Sequence, residues 1–137
     1  MNVYIYSDGA SRGNPGPSSI GVVIKDSHGK NLLQISRYIG MGTNNNAEYT
    51  AVKESLLEAA RLKASEITLF LDSELIVKQL SGEYKVKSKT LQPHFLEVVH
   101  LLRSFRKYKI KHISRDLNSE ADKLANYALD KHSAIDG

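Results

Sequence analysis

Cysteine is absent from the 137 residues of this chain, which excludes disulfides, zinc-thiolate centres and a thiol nucleophile. Any metal chemistry must therefore use oxygen or imidazole ligands. No window approaches the roughly 20 apolar residues of a membrane-spanning helix, and the opening stretch from Met1 to Ala10 has no basic segment followed by a long apolar one. A soluble, cytoplasmic protein with no membrane partner is expected. Repeats, low-complexity tracts and an interdomain linker are missing too, and a single domain spanning 1–137 is expected.

What is present fits a folded domain. Hydrophobic residues are 41% and charged residues 25% of the chain, ordinary values that argue against disorder. The net charge of +4 and pI near 9.2 suit a polyanionic partner, although that bias alone carries modest weight. Period-2 patterns and short apolar runs predict strands over Val3 to Ser7, Ile20 to Lys25 and Leu32 to Ile39. Turn-forming residues from Asp26 to Lys30 join the second and third as a hairpin. A helical stripe of Val52, Leu56, Ala59 and Ala60 marks a helix over Asn46 to Lys63, and a strand over Glu66 to Leu71 follows it. This strand–helix–strand order favours a right-handed crossover that lays the Glu66 strand parallel to the first. Helices are predicted over Ser73 to Leu80, Leu91 to Arg106 and Ser119 to about Lys131, with a short strand over Lys109 to Ile113 before the last. The expected fold is α/β with a mixed sheet.

Four acids stand at the borders of these elements: Asp8 and Asp72 after apolar runs, Glu48 and Asp122 at helix starts. In open α/β sheets, ligands collect beyond the C-terminal ends of adjacent parallel strands, which makes Asp8 and Asp72 neighbours. Four clustered carboxylates repel one another unless cations lie between them, and hard divalent ions take such oxygen ligands. Two such ions held together can clamp a phosphodiester for attack by water, so the pattern is that of a candidate metal-dependent nuclease. Taken singly, each acid has a plainer explanation. Asp72 or Ser73 could cap a helix, Glu48 suits a helix dipole, Ser119 with Asp122 fits a capping box, and Asp8-Gly9 could be a turn.

The surrounding motifs change that balance. Asp8-Gly9-Ala10-Ser11-Arg12-Gly13-Asn14-Pro15-Gly16-Pro17, Thr43-Asn44-Asn45-Asn46-Ala47-Glu48, Leu71-Asp72-Ser73 and Asn118-Ser119-Glu120-Ala121-Asp122-Lys123-Leu124-Ala125 occur in this order. Together they resemble the type 1 ribonuclease H family over nearly the whole chain. The resemblance implies a ribonuclease H-like, five-stranded mixed sheet of order 3-2-1-4-5 flanked by helices. It also implies endonucleolytic cleavage of RNA in RNA/DNA hybrids, leaving 5′-phosphate and 3′-hydroxyl ends. The implied cofactor is two Mg²⁺ ions, with Mn²⁺ as a substitute. Asp8 would be shared by both ions, Glu48 and Asp72 would help to hold one, and Asp122 the other. Gly9, Ser11, Asn14 and Asn45 would lie on the RNA side, while Thr43 and Asn44 would hold a phosphate of the DNA strand. The alternative is a weakly active or inactive nucleic-acid binding module of the same fold. A monomer is expected in either case.

Three departures from the family pattern carry further expectations. Glu83 to Lys89 is a short basic connector where many members have a longer lysine-rich protrusion, and Lys85, Lys87 and Lys89 are either phosphate contacts or a solvated loop. The loop histidine of the family is missing. Arg115 resembles the arginine of a short-loop subgroup; it either meets the scissile phosphate or pairs with Asp116 or Glu120, while His112 alternates with its neighbours as a strand residue would. Glu74 replaces a glutamine that reads the minor groove, and a carboxylate there accepts hydrogen bonds without donating any. Altered selectivity, including cleavage of double-stranded RNA, is the consequence to examine.

Overall fold

The computed structural model describes residues 1–136. Strand β1 (Asn2–Ser11) lies at the centre of one five-stranded sheet, because it finds a partner on each side. It runs antiparallel to β2 (Gly16–Lys25) and parallel to β4 (Glu66–Leu71). Strand β3 (Asn31–Gly42) adds antiparallel outside β2, and β5 (Lys107–His112) adds parallel outside β4. The order β3-β2-β1-β4-β5 is the expected one.

The crossover between β1's side of the sheet and β4 is helix α1 (Asn44–Arg61), capped by Thr43, whose hydroxyl accepts from the Asn46 amide at 3.2 Å. Its apolar stripe, with Tyr49, Val52, Leu56 and Ala59, packs on Val3 and Ile5 of β1, Ile20, Val22 and Ile24 of β2, and Leu69 of β4. Helices α2 (Glu74–Leu80) and α3 (Gln92–Arg103) complete this face through Ile76, Val98 and Leu102. Tyr49 is fully buried, and its hydroxyl donates to Gln79 Oε1 at 2.6 Å, which satisfies a group that burial would otherwise penalise. On the opposite face, a 3₁₀ turn (Arg115–Asn118) leads into α4 (Ser119–Asp136). A β-carbon on Gly21 would lie 2.0 Å from the Ala121 carbonyl oxygen, so α4 approaches β2 as closely as backbone allows.

Several boundaries differ from the sequence expectation. Strand β1 does not stop at Ser7; it continues through Asp8 to Ser11 because β2 pairs with it as far as Ser11↔Ser18. The tight turn is confined to 12–15. Helix α3 ends at Arg103, and Phe105 enters the core from the bend beyond it. Ser119 has helical dihedrals (φ −63°, ψ −33°) and follows the 3₁₀ turn directly, so the capping-box reading of Ser119 and Asp122 does not hold.

Candidate active site

The strand register brings the first two acids together. Tyr6 pairs with Phe70, the last parallel pair, and both strands point the next same-face residues, Asp8 and Asp72, beyond it. Glu48 enters from α1. This is where Gly9 matters: a β-carbon there would lie 2.2 Å from the Ala47 carbonyl carbon and 2.3 Å from the Glu48 nitrogen, so only glycine lets the helix start rest on the strand. The Gly9 amide donates to Glu48 Oε1 at 3.1 Å and fixes the side chain. Carboxylate oxygens of Asp8, Glu48 and Asp72 lie within 4.8 Å of one another. Asp122, in the first turn of α4, faces the same cleft of about 490 Å³ but lies outside that tight trio.

The electrostatics of this cluster are unfavourable for charge alone. Asp8 is 1% exposed and Glu48 8%. Burial, then the neighbouring Glu48, Asp72 and Asp122, push the Asp8 carboxyl up to about 10. Burial also pushes Glu48 up, to about 7, against the lowering effects of Asp8, the Gly9 amide and Arg115. Asp8 Oδ1 is buried and has no hydrogen-bond partner. An oxygen-rich, buried cluster with an orphaned carboxylate oxygen fits a divalent cation, which would satisfy that atom and allow the group to ionise.

The residues around the acids hold them in place. Asn118 is 1% exposed, and its Nδ2 donates to Asp72 Oδ2 at 3.0 Å and to the Ser7 carbonyl at 2.9 Å. Asn126 Nδ2 donates to Asp122 Oδ1 at 3.2 Å and to the Asp122 carbonyl at 3.0 Å. His112 Nε2 lies 3.3 Å from the Asp72 carbonyl oxygen, which gives it a structural role at the end of β5. Ser73, not Asp72, caps α2 by accepting from the Ile76 amide at 3.3 Å, and Asp72 is left free for the cleft. Neither Asn118 nor Asn126 had a stated role from sequence. The Asn-x-x-Ala-Asp segment was the available signal for Asn118, and the i,i+4 spacing from Asp122 for Asn126.

Most of the expected site residues converge here. Gly9, Ser11, Asn44, Asn45 and Arg115 line the cleft with the four acids. Arg115 forms no ion pair among the described residues, and Glu120 pairs instead with Lys25 at 2.7 Å. The Ser11 hydroxyl is taken up by backbone, donating to the Gly42 carbonyl at 3.0 Å. Asn14 Oδ1 accepts from the Asn44 amide at 3.2 Å, which ties the β1–β2 turn to the entrance of α1, where Thr43 is the cap. Asn14, Thr43 and Glu74 do not line the cleft, and Glu74 pairs with Lys78 at 2.8 Å one helical turn away.

The sheet order, the crossover helix and the acids gathered at the end of its central strands define the ribonuclease H-like class of α/β fold. A family profile described as "Reverse transcriptase-like" matches residues 6–128. The chain belongs to this family, as a ribonuclease H-like domain. It is 41% identical over 128 residues to "Ribonuclease HI" of Halobacterium salinarum, covering 93% of this chain and 64% of that protein. The structure of RNase H1 from that archaeon superimposes with a TM-score of 0.93 at 40% identity, over 96% of this chain and 99% of the other. LC11-RNase H1, solved in complex with RNA/DNA hybrid, gives a TM-score of 0.88 at 43% identity over 95% and 98% of the two chains. "Bifunctional protein Rv2228c" of Mycobacterium tuberculosis is 40% identical over 131 residues, and this chain spans 36% of its length.

Proposed function

We propose that this chain is a divalent-metal-dependent endoribonuclease that hydrolyses the RNA strand of RNA/DNA hybrids, leaving 5′-phosphate and 3′-hydroxyl ends. The observation that carries the reading is the complete acid set in one cleft, with Asp8 Oδ1 buried and unpartnered at its centre. A 43% identical protein bound to an RNA/DNA hybrid supports the choice of substrate. Residues 1–137 act as one domain and as a monomer in the cytoplasm. Among the described residues no helix is long and apolar enough to cross a membrane.

Asp8, Glu48 and Asp72 would hold one Mg²⁺, and Asp8 with Asp122 a second. Such ions, when bound, neutralise charge at a phosphodiester and lower the pKa of water. The protein's own groups do the positioning. Asn118 orients the Asp72 carboxylate, the Gly9 amide orients Glu48, and Asn126 orients Asp122. Arg115, unpaired and permanently charged, supplies a cation on the cleft wall for a phosphate oxygen. Asn45 and the Gly9 to Ser11 backbone meet the RNA ribose, where the 2′-hydroxyl distinguishes RNA from DNA, and Asn44 meets a DNA phosphate at the helix entrance. Asn14 and Thr43 hold these two segments together rather than meeting the strand first.

The test is cleavage of labelled RNA/DNA hybrid, duplex RNA and duplex DNA with Mg²⁺, with Asp8→Asn in parallel. Hybrid should be cut and duplex DNA left intact, with activity abolished by the substitution. A parent protein that leaves the hybrid uncut, or an Asp8→Asn variant that cuts it equally well, overturns the reading.

A further inference from the structure

Among the described residues helix α4 packs against β1, β2 and β3 on its face of the sheet, and against neither β4 nor β5 to a comparable extent. Side chains alternate along a strand, so the register assigns the residues of this open area. Tyr4 pairs with Thr68 and Tyr6 with Phe70, while Lys109 pairs with Thr68 and Lys111 with Phe70. All six point to the open face, together with Lys107 at the end of β5.

Two properties coincide there. Phe70 stacks near-parallel with Tyr6, ring centroids 4.7 Å apart at 16°, and with Tyr4 at 6.4 Å and 23°. The aromatic row lies on a sheet surface, only partly buried, and Lys25 adds a cation 5.7 Å over the Tyr6 ring. Beside the row, Lys107, Lys109 and Lys111 are exposed and form no ion pair among the described residues. They span ~13 Å of an edge strand at its usual rise per residue. Tyr4, Thr68, Phe70 and the three lysines line one shallow groove of about 240 Å³. Lysines on an edge strand also deter strand pairing, but that role needs no aromatic row beside them.

We propose that this face is a second nucleic-acid site, separate from the acid cleft, which binds a single strand by stacking bases on the Tyr4–Phe70–Tyr6 row and neutralising phosphates with Lys107, Lys109 and Lys111. Parallel rings extend into a stacked base, and a row of cations at one side matches the backbone of the same strand. A duplex does not fit this chemistry, because its bases are already stacked and paired. The inference does not depend on the activity proposed above.

The experiment uses the whole chain in EDTA and a labelled oligothymidylate of about 15 nucleotides, within the range such platforms engage. Binding is followed by anisotropy, and by emission of a Phe70→Trp variant, whose tryptophan would be unique in a chain that has none. Emission should be quenched over the concentration range in which anisotropy rises. With three phosphates neutralised, log K should fall with log salt at a slope of about −2. The triple variant Lys107→Gln/Lys109→Gln/Lys111→Gln should bind at least about tenfold more weakly with a slope near zero. It should cleave a blunt RNA/DNA hybrid as the parent does. Absence of quenching, unchanged binding by the triple variant, or an oligoglutamate peptide that competes as well as the oligonucleotide would each overturn the proposal.

Discussion

Asn118 illustrates how much a single amide does at this site. Its nitrogen bridges the Ser7 carbonyl of β1 and the Asp72 carboxylate after β4, so it holds the two central strands and one ligand in a fixed relation. Partners of this kind typically govern metal affinity by about 10–100-fold. Asn118→Ala should therefore raise the Mg²⁺ concentration needed for half-maximal hybrid cleavage by roughly that factor, read from a metal titration of the rate. An unchanged titration would reduce Asn118 to a packing residue. Arg115 makes a different prediction. Because it faces the cleft without an ionic partner, Arg115→Ala should lower kcat by about tenfold or more, and Arg115→Lys should restore only part, since a point charge cannot reproduce the planar fork. Full activity in Arg115→Ala would remove it from the phosphate.

At the level of elements, the site depends on how closely helices can approach strands. The motif around Asp8 and Gly9 was legible as chemistry, but the reason for Gly9 was not. Only the packing of α1 shows that a β-carbon would meet backbone atoms at 2.2 to 2.5 Å. Gly9→Ala must push the start of α1 away, since backbone cannot yield as a flexible side chain does, and Glu48 moves with it. Hybrid cleavage should fall by about 10²-fold or more while far-ultraviolet circular dichroism stays native, because a displacement of ~1 Å at a catalytic group has effects of that order. Wild-type rates in Gly9→Ala would refute the contact. Elements whose patterns were local, such as α1 and β4, were predictable to within a few residues. The extension of β1 through Gly9 and Ala10 was not, because neither residue favours strands and the pairing partner β2 lies beyond the turn. Glu74 shows the same limit in reverse, since its i,i+4 pairing with Lys78 holds it on the helix surface.

For the whole molecule, the buried acids couple stability to pH and to metal. The Asp8 carboxyl is raised in the folded state from 3.8 to about 10, and Glu48 from 4.5 to about 7. The folded protein thus binds more protons than the unfolded chain between those limits, and stability must fall as pH rises through them. Without divalent ions, the melting temperature should decline from about pH 5 to 9 relative to that of Asp8→Asn, which lacks the first titration. Saturating Mg²⁺ should stabilise the parent, most at the higher pH where its ligands ionise, and leave Asp8→Asn much less affected. Differential scanning fluorimetry across pH, with and without Mg²⁺, reads both effects. Parallel pH profiles for the two proteins in EDTA would contradict the buried cluster.

Composition and periodicity were enough to determine an α/β domain with a mixed sheet, and the motifs singled out the four acids, because these follow from local pattern and residue type; the full strand order came from the family resemblance that those motifs carry. Charge repulsion among carboxylates could be anticipated once the strands were placed. Tertiary structure alone decided that Asn118 reaches Asp72 across 46 positions of sequence, that Ser73 rather than Asp72 caps α2, and that Glu74 stands outside the cleft. It also decided that α4 packs against β1, β2 and β3 rather than β4 and β5, leaving aromatic rings and lysines from three strands on one open face. The physical reason is common to all of these. Hydrogen bonds, close backbone approach and uncovered surface depend on which distant segments meet, and no window along the chain contains that information.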